Sequence, residues 1–218
     1  MATRTVISRT RRPSVEETSP EFAFRQEHIP ALQPGSAAEN AHGELALRRS
    51  LCAYRDEVRR GAWQAAGQFC FFSHPIEDLH GSNLGIIGEG NLGQGVAHLA
   101  RAFGMNVMYA AHKGKSGLGP LYTPWDVVLE TCDVITLHCP LTERTRGMIA
   151  MPEFRAMQRR PLLINTARGG LVDEVDLVKA LDEGLVAGAG FDVASEEPPA
   201  VDSPLMRIAS RPNVIVTP

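Results

Sequence analysis

No stretch of this 218-residue chain approaches the ~18 consecutive apolar residues that a membrane-spanning helix needs, which excludes a helical membrane protein. An excess of one charge is missing too. Lys and Arg number 22 against 25 Asp and Glu, a net charge of −3. There is neither the basic field of a nucleic-acid binder nor an acidic tail for a cationic partner. Cysteine is scarce. The four cysteines stand at 52, 70, 132 and 139 without the paired spacing of metal ligands, so no metal site is expected. They read as reduced thiols of a cytosolic protein. Internal repeats and low-complexity tracts are absent as well. What remains is 44% hydrophobic and 22% charged, a globular composition with enough apolar mass for a core. The length suits one domain, or one domain with a fragment of another.

Three stretches differ in character. Residues 1–38 carry Arg4, Arg9, Arg11 and Arg12, many Ser and Thr, and prolines at 13, 20, 30 and 34, with no sustained apolar period. Such a segment buries too little surface to offset chain entropy, and reads as a disordered or misjoined leader. Its arginines form no amphipathic face, which disfavours an organellar transit peptide. Residues 39–79 hold one predicted helix, to about residue 65, on the apolar series Leu45, Leu47, Leu51, Tyr54 and Val58, with Gly61 as a plausible C′ residue and a linker behind it. It reads as a surface helix or as an interdomain or dimer-contact helix. Residues 80–218 alternate short apolar runs with helical patterns. The runs are Leu84–Gly88, Asn106–Ala110, Val134–Leu137, Leu162–Asn165, Ala187–Asp192 and Val214–Val216; the clearest helices are Gly93–Phe103 and Val172–Gly184. The fold class is therefore α/β, a doubly wound, mostly parallel sheet whose strands are buried on both faces.

The segment Gly88-Glu89-Gly90-Asn91-Leu92-Gly93 follows the first strand and opens a helix. In that context the glycines have separate tasks: Gly88 for the tight turn, Gly90 for close approach to a pyrophosphate, Gly93 for helix–strand packing. The helix N-terminus offers unpaired amides and a partial positive charge to phosphates. A ligand-free glycine turn is the plainer reading, and the surrounding βαβ layout disfavours it. About 20 residues on, a carboxylate should hold the adenosine ribose of NAD, yet Ala111 and His112 stand there. The basic cluster His112, Lys113 and Lys115 would suit the 2′-phosphate of NADP, so NAD and NADP both stay open. Solvated loop charges beside Gly114 and Gly117 are the alternative.

Ligands of open α/β sheets sit beyond the carboxyl ends of the strands. There this chain places His138-Cys139-Pro140, Asn165-Thr166-Ala167-Arg168-Gly169-Gly170, Asp192 with Glu196-Glu197, and Thr217. Arg168 can grip a carboxylate through two parallel hydrogen bonds; its alternative is an ion pair with Asp173 or Glu174. Glu197 can orient a histidine and favour its protonated form, or be an exposed loop acid. Asp192 is placed to accept from a nicotinamide amide, or to cap a turn. His138 lines the cleft, and Cys139 reads as packing against a cofactor rather than as a nucleophile.

Four ordered segments resemble the D-isomer-specific 2-hydroxyacid dehydrogenases: Leu84 to Gly93, Asp133 to Thr142, Leu163 to Asp173, and Gly188 to Val193 with Glu197-Pro198. The stretch from Gly67 to His80 is similar to the glycerate dehydrogenase or hydroxypyruvate reductase branch. The resemblance implies a Rossmann-type domain and an oxidoreductase acting on a small 2-keto or 2-hydroxy acid. It implies Arg168 as the carboxylate-binding arginine and Glu197 as partner of a catalytic histidine. Asn91, Leu92, Thr166, Ala167, Arg168 and Asp192 match cofactor contacts, and Gly88, Gly90, Gly93, His112, Cys139 and Pro140 complete the expected cofactor set. The family's ribose-binding acid falls on Ala111.

The family's histidine follows a Thr-Pro like Thr217-Pro218, where this chain stops, and residues 1–38 do not resemble its substrate domain. A general acid typically contributes ~10²–10⁴-fold in rate. The expectation is thus an incomplete Rossmann domain, missing most of the substrate domain, with little turnover of its own and a homodimer if folded. The competing reading is a non-catalytic dinucleotide-binding or dimerisation module, or a degraded gene product. A methyltransferase is disfavoured by the segments 166–170 and 191–193.

Overall fold

The structure, a computed structural model, describes residues 37–218. The expectation of a disordered leader therefore lies outside the described residues, except that Ala37 and Ala38 already belong to a helix.

The sheet has seven strands: β1 (Asn83–Ile87), β2 (Asn106–Ala110), β3 (Tyr122–Thr123), β4 (Val134–Leu137), β5 (Leu162–Asn165), β6 (Gly188–Phe191) and β7 (Val214–Val216). They lie in the order β3-β2-β1-β4-β5-β6-β7, and every pair is parallel. In register, Leu84 of β1 faces Val107 of β2 on one side and Val134 of β4 on the other. The doubly wound parallel sheet expected from the apolar runs is present. Six strands coincide with predicted runs to within about two residues, while β3 was not foreseen. It holds two residues behind a glycine-rich loop, too short to show a period.

The helices are α1 (Ala37–Arg48), α2 (Leu51–Arg59), α3 (Ala62–Ala66), α4 (Asn91–Ala102), α5 (Trp125–Thr131), α6 (Met151–Ala156), α7 (Glu174–Asp182) and α8 (Pro204–Ile208). None among the described residues is long and apolar enough to cross a membrane. The single helix expected from residue 39 to about 65 is instead three. Ser50, at φ 48°, turns the chain between α1 and α2, and Gly61, at φ 83°, turns it again before α3. The apolar series does not form one inward stripe: Leu47 of α1 and Ala53 of α2 are buried, whereas Leu51 and Val58 lie exposed and α3 has no buried residue. Gly61 does stop a helix, as its sequence position suggests.

Strands β4, β5 and β6 are buried at every residue, which explains their lack of polar alternation. One face packs Ile135, Leu137 and Leu163 against Val128 and Leu129 of α5, Phe154 of α6, Leu177 of α7 and Leu205 of α8. The other packs Leu84, Ile86 and Ile164 against Val96, Ala97 and Ala100 of α4 and Leu47 of α1. Each fully buried leucine or isoleucine there contributes roughly 1.5–3 kcal/mol. Gly85 shows how closely α5 sits on β1, since a Cβ there would lie 2.6 Å from Val128 Cγ1. Through α1 the segment before the sheet joins the same core, packing against α4, β5 and β6.

Candidate active site

The strand order reverses between β1 and β4, and the crevice beyond their carboxyl ends is the place for a ligand. β1 delivers Gly88, Glu89 and Gly90 to that crevice, and α4 starts at Asn91. The three glycines differ in what excludes a side chain. Gly88 sits at φ 111°, and a Cβ would meet the His138 carbonyl carbon at 2.6 Å. At Gly93 a Cβ would lie 2.1 Å from the Gly88 carbonyl oxygen. Gly90 has an ordinary φ of −65° and no atom within 4 Å of a built Cβ. The fold itself thus leaves space above Gly90, at the N-terminus of a 12-residue helix whose cap has no side-chain hydrogen bond. A dinucleotide's diphosphate fits there, on unpaired amides and the positive helix end.

Beside this loop lies a cavity of about 440 Å³ between the ends of β1, β2 and β4. Its walls carry Glu89, Ala111, His112, Lys113, His138 and Cys139. The Glu89 carboxylate stands 3.7 Å from His112 Nε2, and the His112 ring meets Tyr122 edge-on at 5.9 Å between centroids. Partial burial pushes the Glu89 carboxyl up, but its own backbone amide, Tyr122 and His112 outweigh that and hold it below the usual range. Lys113 turns away from the cavity's acid: Nζ is 2.7 Å from Glu153 Oε1 and donates to the Met148 carbonyl at 2.9 Å. Burial pushes His138 down to about 4 and the Cys139 thiol up to about 11. Both are neutral at pH 7, which makes them a weakly polar wall and makes Cys139 a poor nucleophile.

The end of β5 builds a second cluster. Asn165 is almost fully buried and organises the loop after it, its Oδ1 accepting from Ala167 N at 3.1 Å and its Nδ2 donating to the Arg168 carbonyl at 3.0 Å. Arg168 is exposed, with Nη1 donating to the Ala167 carbonyl at 2.6 Å. The alternative ion pairs do not form. Asp173 caps α7 through Asp176 N, and Glu174 accepts from Ser195 N at 2.7 Å. Among the described residues Arg168 has no carboxylate partner. Gly169 lets this loop press against the next strand's end, since a Cβ would lie 1.7 Å from the Ala194 carbonyl oxygen. Glu197 Oε1 accepts from Ala194 N at 3.1 Å. Asp192 Oδ1 accepts from the Thr217 hydroxyl at 2.6 Å.

The structure brings Gly88, Gly90, His112, Cys139 and Pro140 together around the first cavity. Asn91, Leu92 and Gly93 form the first turn of α4 beside it. Thr166 and Asp192 line a separate hollow with Phe191 and Thr217. Ala167, Arg168 and Glu197 stand on the loops after β5 and β6. Sequence reasoning assigned no role to Asn165, although a strand-ending Asn before a turn is a usable signal. It gave none to Glu89 either, because the second position of the glycine motif is unconstrained. The basic cluster does not act as a unit, since its middle member is paired with Glu153.

Comparison with known proteins agrees with this arrangement. Residues 43–218 match the family model described as the D-isomer specific 2-hydroxyacid dehydrogenase, NAD binding domain. A glycerate dehydrogenase of Methylorubrum extorquens is 49% identical over 174 residues, 80% of this chain and 54% of the relative. Among solved structures, a glyoxylate reductase from Paecilomyes thermophila superposes with a TM-score of 0.72 at 31% identity, covering 87% of this chain and 56% of the other. A D-lactate dehydrogenase from Aquifex aeolicus, complexed with NAD and lactic acid, gives 0.72 at 30% identity, covering 90% and 64%. The chain spans about half the length of the curated relatives it matches. With the glycine loop, the strand order and the strand-end residues all inside the matched region, the protein belongs to the D-isomer specific 2-hydroxyacid dehydrogenase family and carries its NAD-binding domain.

Proposed function

We propose that this chain is the dinucleotide-binding half of an oxidoreductase acting on a small 2-keto or 2-hydroxy acid of the hydroxypyruvate–glycerate or glyoxylate type. The observation that carries the proposal is Gly90, at the N-terminus of α4 after β1, where a built Cβ meets no atom within 4 Å and a diphosphate has room on the helix amides. When bound, the reduced nicotinamide supplies a hydride to the keto carbon. Gly88, Gly90, Asn91, Leu92 and Gly93 hold the diphosphate on backbone amides. His112, Cys139 and Pro140 border the adenosine. Thr166, Ala167 and Asp192 face the nicotinamide end, where Asp192 accepts from the carboxamide. Arg168 binds the organic carboxylate, and its guanidinium is available because the nearby acids are engaged elsewhere. The substrate class is supported by relatives named glycerate dehydrogenase, glyoxylate reductase and hydroxypyruvate reductase.

Calorimetric titration of the purified chain with NADH tests this reading. The wild type is expected to bind. Gly90→Val, whose side chain would fill the space above the loop, is expected to lose about 100-fold in affinity without losing melting temperature. Equal affinity in the two proteins would overturn the assignment.

Two coarser features belong to the same proposal. The four cysteines are free, which supports a reducing cytosolic compartment. Trp63, Phe69 and Phe72 lie exposed in and behind α3, which supports a homodimer formed across that face.

A further inference from the structure

The end of β2 is where an acid ordinarily reads the adenosine ribose, and here it offers only the methyl group of Ala111, 5% exposed, with the backbone amide given to the Thr123 carbonyl. The same cavity nevertheless contains a carboxylate. Glu89 reaches from the glycine loop to within 3.7 Å of His112, the residue that follows Ala111. We infer that Glu89, from the opposite wall, takes the ribose hydroxyls in this chain and sets a preference for NAD over NADP. The inference rests on the proposed dinucleotide site and adds the residue that selects between its two forms.

Three observations favour it. A carboxylate accepts from two hydroxyls at once, which matches the 2′,3′-diol of NAD. Against partial burial, its own backbone amide, Tyr122 and His112 hold the Glu89 carboxyl below the usual carboxylate range. Finally, the cation that would best balance a 2′-phosphate is already used, because Lys113 is paired with Glu153 at 2.7 Å and bound to the Met148 carbonyl. A phosphate carrying a charge of about −1.5 to −2 would then face Glu89 at short range. Lys115 and Arg144 also border the cavity, but both are exposed, where water and salt screen them.

The test is titration of the full chain with NADH and with NADPH, by calorimetry or by quenching of protein fluorescence, with thermal melts to verify folding. Wild-type protein is expected to bind NADH at least about tenfold tighter than NADPH. Glu89→Gln, at unchanged melting temperature, is expected to shrink that ratio about tenfold, the size of a lost hydrogen bond to a charged group. Adding Ala111→Glu to that variant is expected to restore the ratio, which also guards against a folding artefact of the single change. A wild type that prefers NADPH, or a ratio unmoved by Glu89→Gln, would overturn the inference while leaving the dinucleotide site standing. Binding of neither nucleotide would overturn both.

Discussion

At the scale of single residues, one motif contains three glycines with three causes. Gly88 and Gly93 are glycines because protein atoms occupy the place of a side chain, and Gly90 is a glycine although nothing does. Only at the last does an added side chain meet no protein atom, and so only its substitution separates binding from folding. Asn165 makes the opposite case, a buried amide whose work is internal. Its carbonyl and amino groups hold the two peptide units that present Arg168. Asn165→Ala leaves an amide and a carbonyl short of partners, at a cost of roughly 1–3 kcal/mol. A thermal melt is expected to fall by roughly 3–10 °C for a chain of this size. An unchanged melting temperature would show that the Arg168 loop holds its shape without Asn165.

At the scale of elements, α1 carries a conflict. Its inward face packs Leu47 on the sheet, and Glu44, one turn before, is 2% exposed with Oε1 lacking a hydrogen-bond partner among the described residues. Burial pushes its carboxyl from the ordinary 4.5 up to about 8. The folded state therefore binds this proton more tightly than the unfolded state does. The contribution to stability is present in full below about 4.5, and it is lost as pH rises from there to about 8. Glu44→Gln removes the titration. Its stability relative to wild type is expected to improve by on the order of 2–4 kcal/mol between pH 5 and pH 8, measured by urea denaturation at both pH values. Parallel pH profiles for the two proteins would place Glu44 in water rather than in the core.

At the scale of the whole molecule, seven parallel strands and two covering layers bury the sheet and leave the apolar residues behind α3 outside. Phe69 is 94% exposed and Phe72 78%. If that face is the dimer contact, sedimentation of the wild type should show a dimer at micromolar concentration. Phe69→Ser with Phe72→Ser should shift it to monomer with little change in melting temperature, because neither ring is in the core. A monomeric wild type would remove this assignment.

Local pattern alone determined six of the seven strands, the glycine loop and the doubly wound class. Each of these is written in neighbouring residues: continuous apolar runs for strands buried on both faces, glycine spacing between a strand and a helix, and Gly61 at a helix end. Tertiary structure decided the rest. Lys113 meets Glu153 forty positions away, Glu89 meets His112, and Glu174 meets Ser195. Those pairings chose between a cluster of basic residues and a partly neutralised one, and freed Arg168 from its neighbouring acids. They arise because parallel crossovers bring the ends of strands distant in sequence to one edge of the sheet, a closeness that no local period records.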